Sequence, residues 1–148
     1  MTDDFRKATP VMEGMWRETA DGGIVLLGSI CDRCGEVYFP KKETKVCAHC
    51  QGRHLSDIEL SREGVVHSVT VVEQKPAGNF YFGEVPFIYA IVEFPEGVYV
   101  QGHALKDGSE DIRIGDRVRV VPAILGEGPD GIISTYKFRK LSEVKNDG

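Results

Sequence analysis

Cys31-Asp32-Arg33-Cys34 and Cys47-Ala48-His49-Cys50 contain all four cysteines of the chain, in the spacing C-x2-C-x12-C-x2-C. A divalent zinc ion takes four soft ligands at the corners of a tetrahedron, and two C-x-x-C turns can each deliver two thiolates with the backbone curled around the metal. Between the turns, the stretch from Gly35 to Val46 reads as a strand leaving the first turn and a bend at Pro40 leading into the second. The pattern predicts a zinc ribbon with Cys31, Cys34, Cys47 and Cys50 as ligands.

Other uses of four cysteines fit less well. Disulfides need an oxidising compartment, whereas the first 30 residues carry no uninterrupted apolar run with a cleavage site, so a cytoplasmic chain is expected. Redox C-x-x-C chemistry uses one pair at a helix start within a βαβ unit, and two pairs without that context do not match it. Iron is the remaining metal alternative. His49 and His54 could each replace a thiolate, but four sulfurs already fill a tetrahedron, which leaves both histidines to the surface. A closed four-thiolate site has no position for water or substrate, so its expected role is structural. A segment this short cannot bury enough apolar surface to hold itself together, and zinc binding supplies on the order of 10 kcal/mol in its place.

The 148 residues are 41% hydrophobic and 28% charged, with a formal net charge of −5. No apolar stretch approaches the roughly 20 residues that span a bilayer, so no membrane segment is expected. An acidic chain is a poor fit to phosphate backbones, which argues against nucleic acid as the main partner. Locally the balance reverses. Between Cys31 and Arg53 stand Arg33, Lys41, Lys42, Lys45 and Arg53 against three acids. This reads as a solvated ribbon surface or as a small anion-binding patch.

N-terminal to the cysteines, Thr9-Pro10 resembles a helix start, Met12, Met15, Trp16 and Thr19 follow at helical spacing, and Gly22-Gly23 ends the run. A helix over about residues 10–21 is predicted, with Met15 and Trp16 either covering core or docking on another chain. C-terminal to the cysteines the texture is strand and turn. Strands are expected over 65–73, 86–94, 98–104, 117–125 and 131–139, with a single helical turn at 109–114 between the third and fourth. Five strands with one helical turn in that place match an OB-fold barrel, and other small barrels remain open on the pattern alone. The expected class is mainly β: a tail and docking helix at 1–23, a ribbon at 24–60, an OB-fold at 61–140 and a polar tail at 141–148.

No catalytic constellation is evident. The cysteines are committed to metal, the serines lack a G-x-S-x-G elbow, and no phosphate-cradling loop occurs. His67 and His103 fall on predicted strands, where packed histidines are commoner than catalytic ones, and Asp116 suits turn chemistry. Phe80, Tyr81 and Phe82 stand together in the loop joining the first two barrel strands. Exposed aromatics there either tuck under the barrel or reach a ligand or partner, and OB-folds bind through that loop.

Taken in order, a short helix with an aromatic at its core, Gly22-x-Ile24-x-Leu26, Cys31-Asp-Arg-Cys34-Gly35, Phe39-Pro40, Cys47-Ala-His-Cys50, Gly64-Val-Val-x-Ser68-x-Thr70 and Ile114-Gly-Asp-Arg-Val118 resemble one family along almost the whole chain. It is the rubredoxin-like zinc-ribbon plus OB-fold family of small proteins that accompany thiolases and related acyl-CoA enzymes. Ala48 stands where that family often has proline, and Lys41-Lys42 where it often has Pro-Arg. The resemblance implies a non-catalytic subunit that binds a thiolase-fold partner in a hetero-oligomer and helps to enclose coenzyme A or acyl-CoA, while the partner carries the catalytic residues of an acyl-CoA C-acyltransferase. It makes Lys41, Lys42 and Arg53 candidate phosphate contacts, Phe80, Tyr81 and Phe82 candidates for the acyl side or the subunit interface, and Met15 and Trp16 candidate docking anchors. A nucleic-acid-binding OB protein and an independent small enzyme are the competing classes.

Overall fold

Runs of β-branched and aromatic residues bounded by glycine and proline become strands throughout this chain. The structure is a computed structural model, and it describes residues 8–12, 14–42, 44–73, 86–106, 111–129 and 131–141. In chain order the strands are β1 (Thr9–Pro10), β2 (Trp16–Glu18), β3 (Ile24–Cys31), β4 (Val37–Tyr38), β5 (Leu55–Glu59), β6 (Glu63–Val72), β7 (Phe87–Glu93), β8 (Tyr99–Ala104), β9 (Arg117–Gly128) and β10 (Gly131–Lys140).

The last five strands close on themselves. Antiparallel pairing joins β6 to β7 and β7 to β8; β8 runs parallel to β10, β10 antiparallel to β9, and β9 returns antiparallel to β6. This is the five-stranded Greek-key barrel expected of an OB-fold. Closure is tight on one side only. β9 follows β10 along its whole length, so β10's other edge is shared: β8 takes Lys137 and Phe138, and β1 takes Ile133 and Ser134. The N-terminal segment thus covers backbone that the barrel itself leaves unpaired, with the Val11 N–H donating to the Ser134 carbonyl at 2.9 Å.

Alternation places Val66, Ala90, Val92, Val100, Val118, Val120 and Phe138 inside the barrel. Ile24 and Leu26 of β3, both fully buried, belong to the same cluster, and Phe39 packs edge-on against Tyr136 with ring centroids 5.9 Å apart. The cysteine-bearing segment therefore shares its apolar contacts with the barrel. Two further ties fix the junction: the Leu60 N–H donates to the Leu26 carbonyl at 2.9 Å, and the Val120 N–H to the Arg62 carbonyl at 2.9 Å.

The described part of residues 10–21 is not the expected helix but turns and the short strands β1 and β2. β2 pairs antiparallel with β3, matching Trp16 to Leu26 and Glu18 to Ile24, across a turn that contains Gly22-Gly23, the expected helix stop. Gly14 and Gly22 both adopt left-handed φ (79° and 86°), which interrupts a right-handed helix at each position. The Asp21 carboxylate accepts the Gly23 N–H at 3.1 Å and both guanidinium nitrogens of Arg62, at 2.9 and 3.0 Å. The hairpin is clamped to the start of β6. These contacts, Arg62 first, hold the Asp21 carboxyl well below its usual range.

Of the other predicted elements, the helical turn at 109–114 begins outside the described residues. From Asp111 the chain passes through Gly115, at φ 95°, where the Asp116 carboxylate accepts the Arg113 N–H at 2.9 Å, the turn role expected of it. The nearly continuous apolar run of β7 suggests burial on both faces, yet among its residues only Phe87, Ala90 and Val92 are buried. No helix among the described residues is long and apolar enough to cross a membrane.

Close approach of strands fixes Gly64. A β-carbon there would lie 2.6 Å from Val92 Cγ1 and 2.7 Å from the Glu93 carbonyl oxygen, the second of which is backbone that cannot turn aside. Gly64→Ala is expected to lower unfolding stability by about 1–3 kcal/mol in a denaturant titration of the metal-loaded chain, without changing the fold.

Candidate metal centre and flanking surfaces

β3 ends at Cys31, and the chain turns immediately through the first C-x-x-C. The Gly35 N–H donates to the Cys31 carbonyl at 2.8 Å, and the Cys31 N–H donates to the Glu36 carbonyl at 2.8 Å. The second turn repeats the arrangement: Gln51 N–H to Cys47 carbonyl at 2.7 Å, and Cys47 N–H to Gly52 carbonyl at 2.9 Å. Each needs a left-handed residue directly after its second cysteine. Gly35 supplies it at φ 85° and Gln51 at φ 62°, so one turn uses the residue suited to that conformation and the other tolerates its cost.

The two turns bring the four sulfurs within 4.8 Å of one another. Cys31 and Cys50 are 3.6 Å apart at Sγ, as are Cys34 and Cys47. Zn–S bonds of about 2.3 Å in a tetrahedron place sulfurs about 3.8 Å apart, so the donor set fits the ion. Cys31 and Cys47 are buried while Cys34 and Cys50 are exposed.

Charge tells the same story. The Tyr38 hydroxyl accepts N–H groups from Ala48 (3.0 Å) and His49 (3.3 Å), which leaves its proton for Cys47 Sγ at 3.3 Å. That hydrogen bond, foremost, lowers the Cys47 thiol to about 6. Although the Glu36 N–H favours its thiolate, Cys34 is pushed up to about 12 by desolvation and the three other sulfurs. Four thiolates at this separation need a cation among them.

Tyr38 is the functional residue that sequence reading missed. It lies on β4 opposite Ser29, and Lys42 Nζ sits 4.9 Å from its ring centroid. Buried Ser29 accepts the Lys42 N–H at 2.9 Å. Gly28 makes this packing possible, because a β-carbon there would run into the Tyr38 carbonyl. An aromatic within the ribbon spacer, three residues after Gly35, was the available signal.

The other predicted contact residues are spread around the ribbon. Lys41 forms an ion pair with Asp57 at 3.6 Å, Lys42 covers Tyr38, and Arg53 is exposed beyond the second turn. Met15 and Trp16 are half-buried against the shared core. Phe80, Tyr81 and Phe82 lie outside the described residues. Of the strand histidines, His67 sits at a bulge in β6 with its ring 4.9 Å from Tyr99. His103 stacks on Phe87 at 4.2 Å, and burial, aided by Lys137, lowers it to about 4, so it is neutral at physiological pH.

Outer hydrogen bonds to metal ligands typically carry 10- to 100-fold in affinity. Tyr38→Phe keeps the ring and removes the donor to Cys47, so zinc affinity measured by chelator competition should fall about tenfold while the spectrum of the folded chain is unchanged.

Comparison with known proteins places this geometry. Residues 57–122 match the family described as the ChsH2 C-terminal OB-fold domain. Over 119 residues the chain is 34% identical to a DUF35 domain-containing scaffold protein of Methanocaldococcus jannaschii, covering 78% of this chain and 82% of that protein. It is 30% identical over 129 residues to the benzoylsuccinyl-CoA thiolase subunit BbsA of Geobacter metallireducens, covering 82% and 80%. Among solved structures it is similar to a chain of the Ltp2-ChsH2(DUF35) aldolase, with a TM-score of 0.57 and 26% identity over 78% of this chain and 84% of that one. The chain belongs to the DUF35 OB-fold family, which includes the thiolase-associated subunits that its motifs resemble.

Proposed function

We propose that this chain is a non-catalytic, zinc-binding subunit of a thiolase-type acyl-CoA C-acyltransferase complex in the cytoplasm. The observation that carries the reading is likeness over about four-fifths of both chains to a protein named as a thiolase subunit, joined by similarity to the ChsH2 chain of an aldolase. Chemistry on this chain agrees. The four sulfurs converge on one another, a closed donor set that leaves no ligand position for a substrate. Zinc, when bound, supplies cross-linking charge to the two turns.

On this reading the ribbon at 24–60 and the barrel at 61–140 act together as one rigid support for the partner. The partner contributes the reacting groups. Lys41, Lys42 and Arg53 are candidates for the phosphates of coenzyme A, Phe80, Tyr81 and Phe82 for the acyl or subunit side, and the exposed parts of Met15 and Trp16 for docking. A benzoylsuccinyl-CoA-type thiolase is the first candidate complex, following the BbsA relative.

The tagged full-length chain, produced with the thiolase-like protein of its native cell, should co-elute with it as a hetero-oligomer and raise its activity. Absence of a complex, of an activity gain and of any stabilisation by coenzyme A would remove the proposal.

A further inference from the structure

Each C-x-x-C turn keeps one cysteine inside and one outside. Cys31 and Cys47, the first of each turn, are buried; Cys34 and Cys50, the second of each, face solvent. The fold then sets exposed against buried across the turns: Cys50 Sγ lies 3.6 Å from Cys31 Sγ, and Cys34 Sγ 3.6 Å from Cys47 Sγ. Both buried sulfurs are held in place. Cys31 Sγ accepts the Cys34 N–H at 3.4 Å, and Cys47 Sγ accepts the Tyr38 hydroxyl at 3.3 Å. An accessible sulfur with a second, resolving thiol beside it is the arrangement that turns a reversible oxidation into a disulfide. Disulfides that form and reopen occur in reducing compartments as well, unlike structural ones.

The chemistry closes with a hydroperoxide as oxidant. An exposed sulfur attacks the peroxide, the O–O bond breaks, one oxygen stays as a sulfenic acid and the other leaves as water after taking a proton. The buried neighbour then attacks the sulfenic sulfur; the S–O bond breaks, the S–S bond forms and the oxygen leaves as water. Per chain, four thiolates, two hydrogen peroxide molecules and four protons give two disulfides and four water molecules. A sulfur tied into a disulfide is no longer a thiolate ligand, so oxidation of both pairs leaves a bound ion without donors. Bonds between the turns also keep the ribbon closed, whereas bonds within each turn would leave the two turns untethered.

We propose that the cluster is a reversible thiol switch: Cys34 and Cys50 are its oxidation sites, Cys47 and Cys31 their resolving partners, and a hydroperoxide exchanges the metal for two cross-turn disulfides, Cys31–Cys50 and Cys34–Cys47. The switch goes beyond the subunit reading and needs no partner chain. Its pairing rests on sulfur geometry, and only the release of an ion rests on the zinc assignment.

The test treats the zinc-loaded full chain with about two equivalents of hydrogen peroxide. Released zinc is followed with a colorimetric chelator, and tryptic peptides are mapped without reduction by mass spectrometry. Cleavage after Arg33 separates Cys31 from Cys34, while no Lys or Arg stands between Cys47 and Cys50. The proposed pairing therefore joins three peptides in one species, with fragmentation assigning its two bonds; pairing within the turns gives two joined peptides and a third bridged internally. The expected result is that three-peptide species, release of the bound zinc, a chain mass about 4 Da below that of the reduced metal-free chain, and renewed zinc binding after a dithiol reductant. The proposal is overturned by bonds within the turns, by Cys31–Cys47 with Cys34–Cys50, by sulfinic acid at Cys34 or Cys50 in place of disulfides, or by zinc retained once the peroxide is consumed. The predicted bonds in a chain that carries no zinc would overturn the metal exchange and support the pairing.

Discussion

One strand joins the two chemistries on which this protein stands. β3 places Ile24 and Leu26 in the barrel's apolar cluster and, a few residues later, delivers Cys31 to the sulfur cluster. Apolar burial holds one end and the convergence of the four sulfurs the other, so neither can shift without moving its counterpart. Around that strand, β2, β4 and β5 assemble by antiparallel pairing, and the second C-x-x-C turn is brought to the first. The result is a rigid attachment of ribbon to barrel.

That arrangement answers the problem of holding so short a ribbon in place. The four converging sulfurs, with an ion bound among them, would replace a core that the ribbon is too short to build. The barrel contributes a closed sheet whose weak edge at β10 is covered by β1. Tyr38 couples the two levels: its ring lies under Lys42, and its hydroxyl steadies Cys47 and the amides that follow. Relatives named as scaffold proteins match this chain over most of its length.

Much of this was legible from residue order. The C-x2-C pairs specify their own turns, and the five barrel strands follow from alternating apolar runs ended by glycine or proline. The hairpin at residues 16–26 was misread because Met12, Met15, Trp16 and Thr19 have helical spacing, although Gly14 and the Asp21-Gly22-Gly23 turn oppose a helix. Pairing with β3 decided between them, and that is a tertiary contact invisible to local spacing. The place of Tyr38 opposite Ser29 depends on strand register, which one sequence does not specify.

The central claim is that the metal holds the ribbon onto the barrel through β3. Hydrogen exchange of the full chain, before and after anaerobic removal of zinc, addresses it directly. Protection should be lost at the two turns, 31–36 and 47–52, and along β3 as far as Ile24–Leu26. Full protection of β3 and both turns in the metal-free chain would contradict the account.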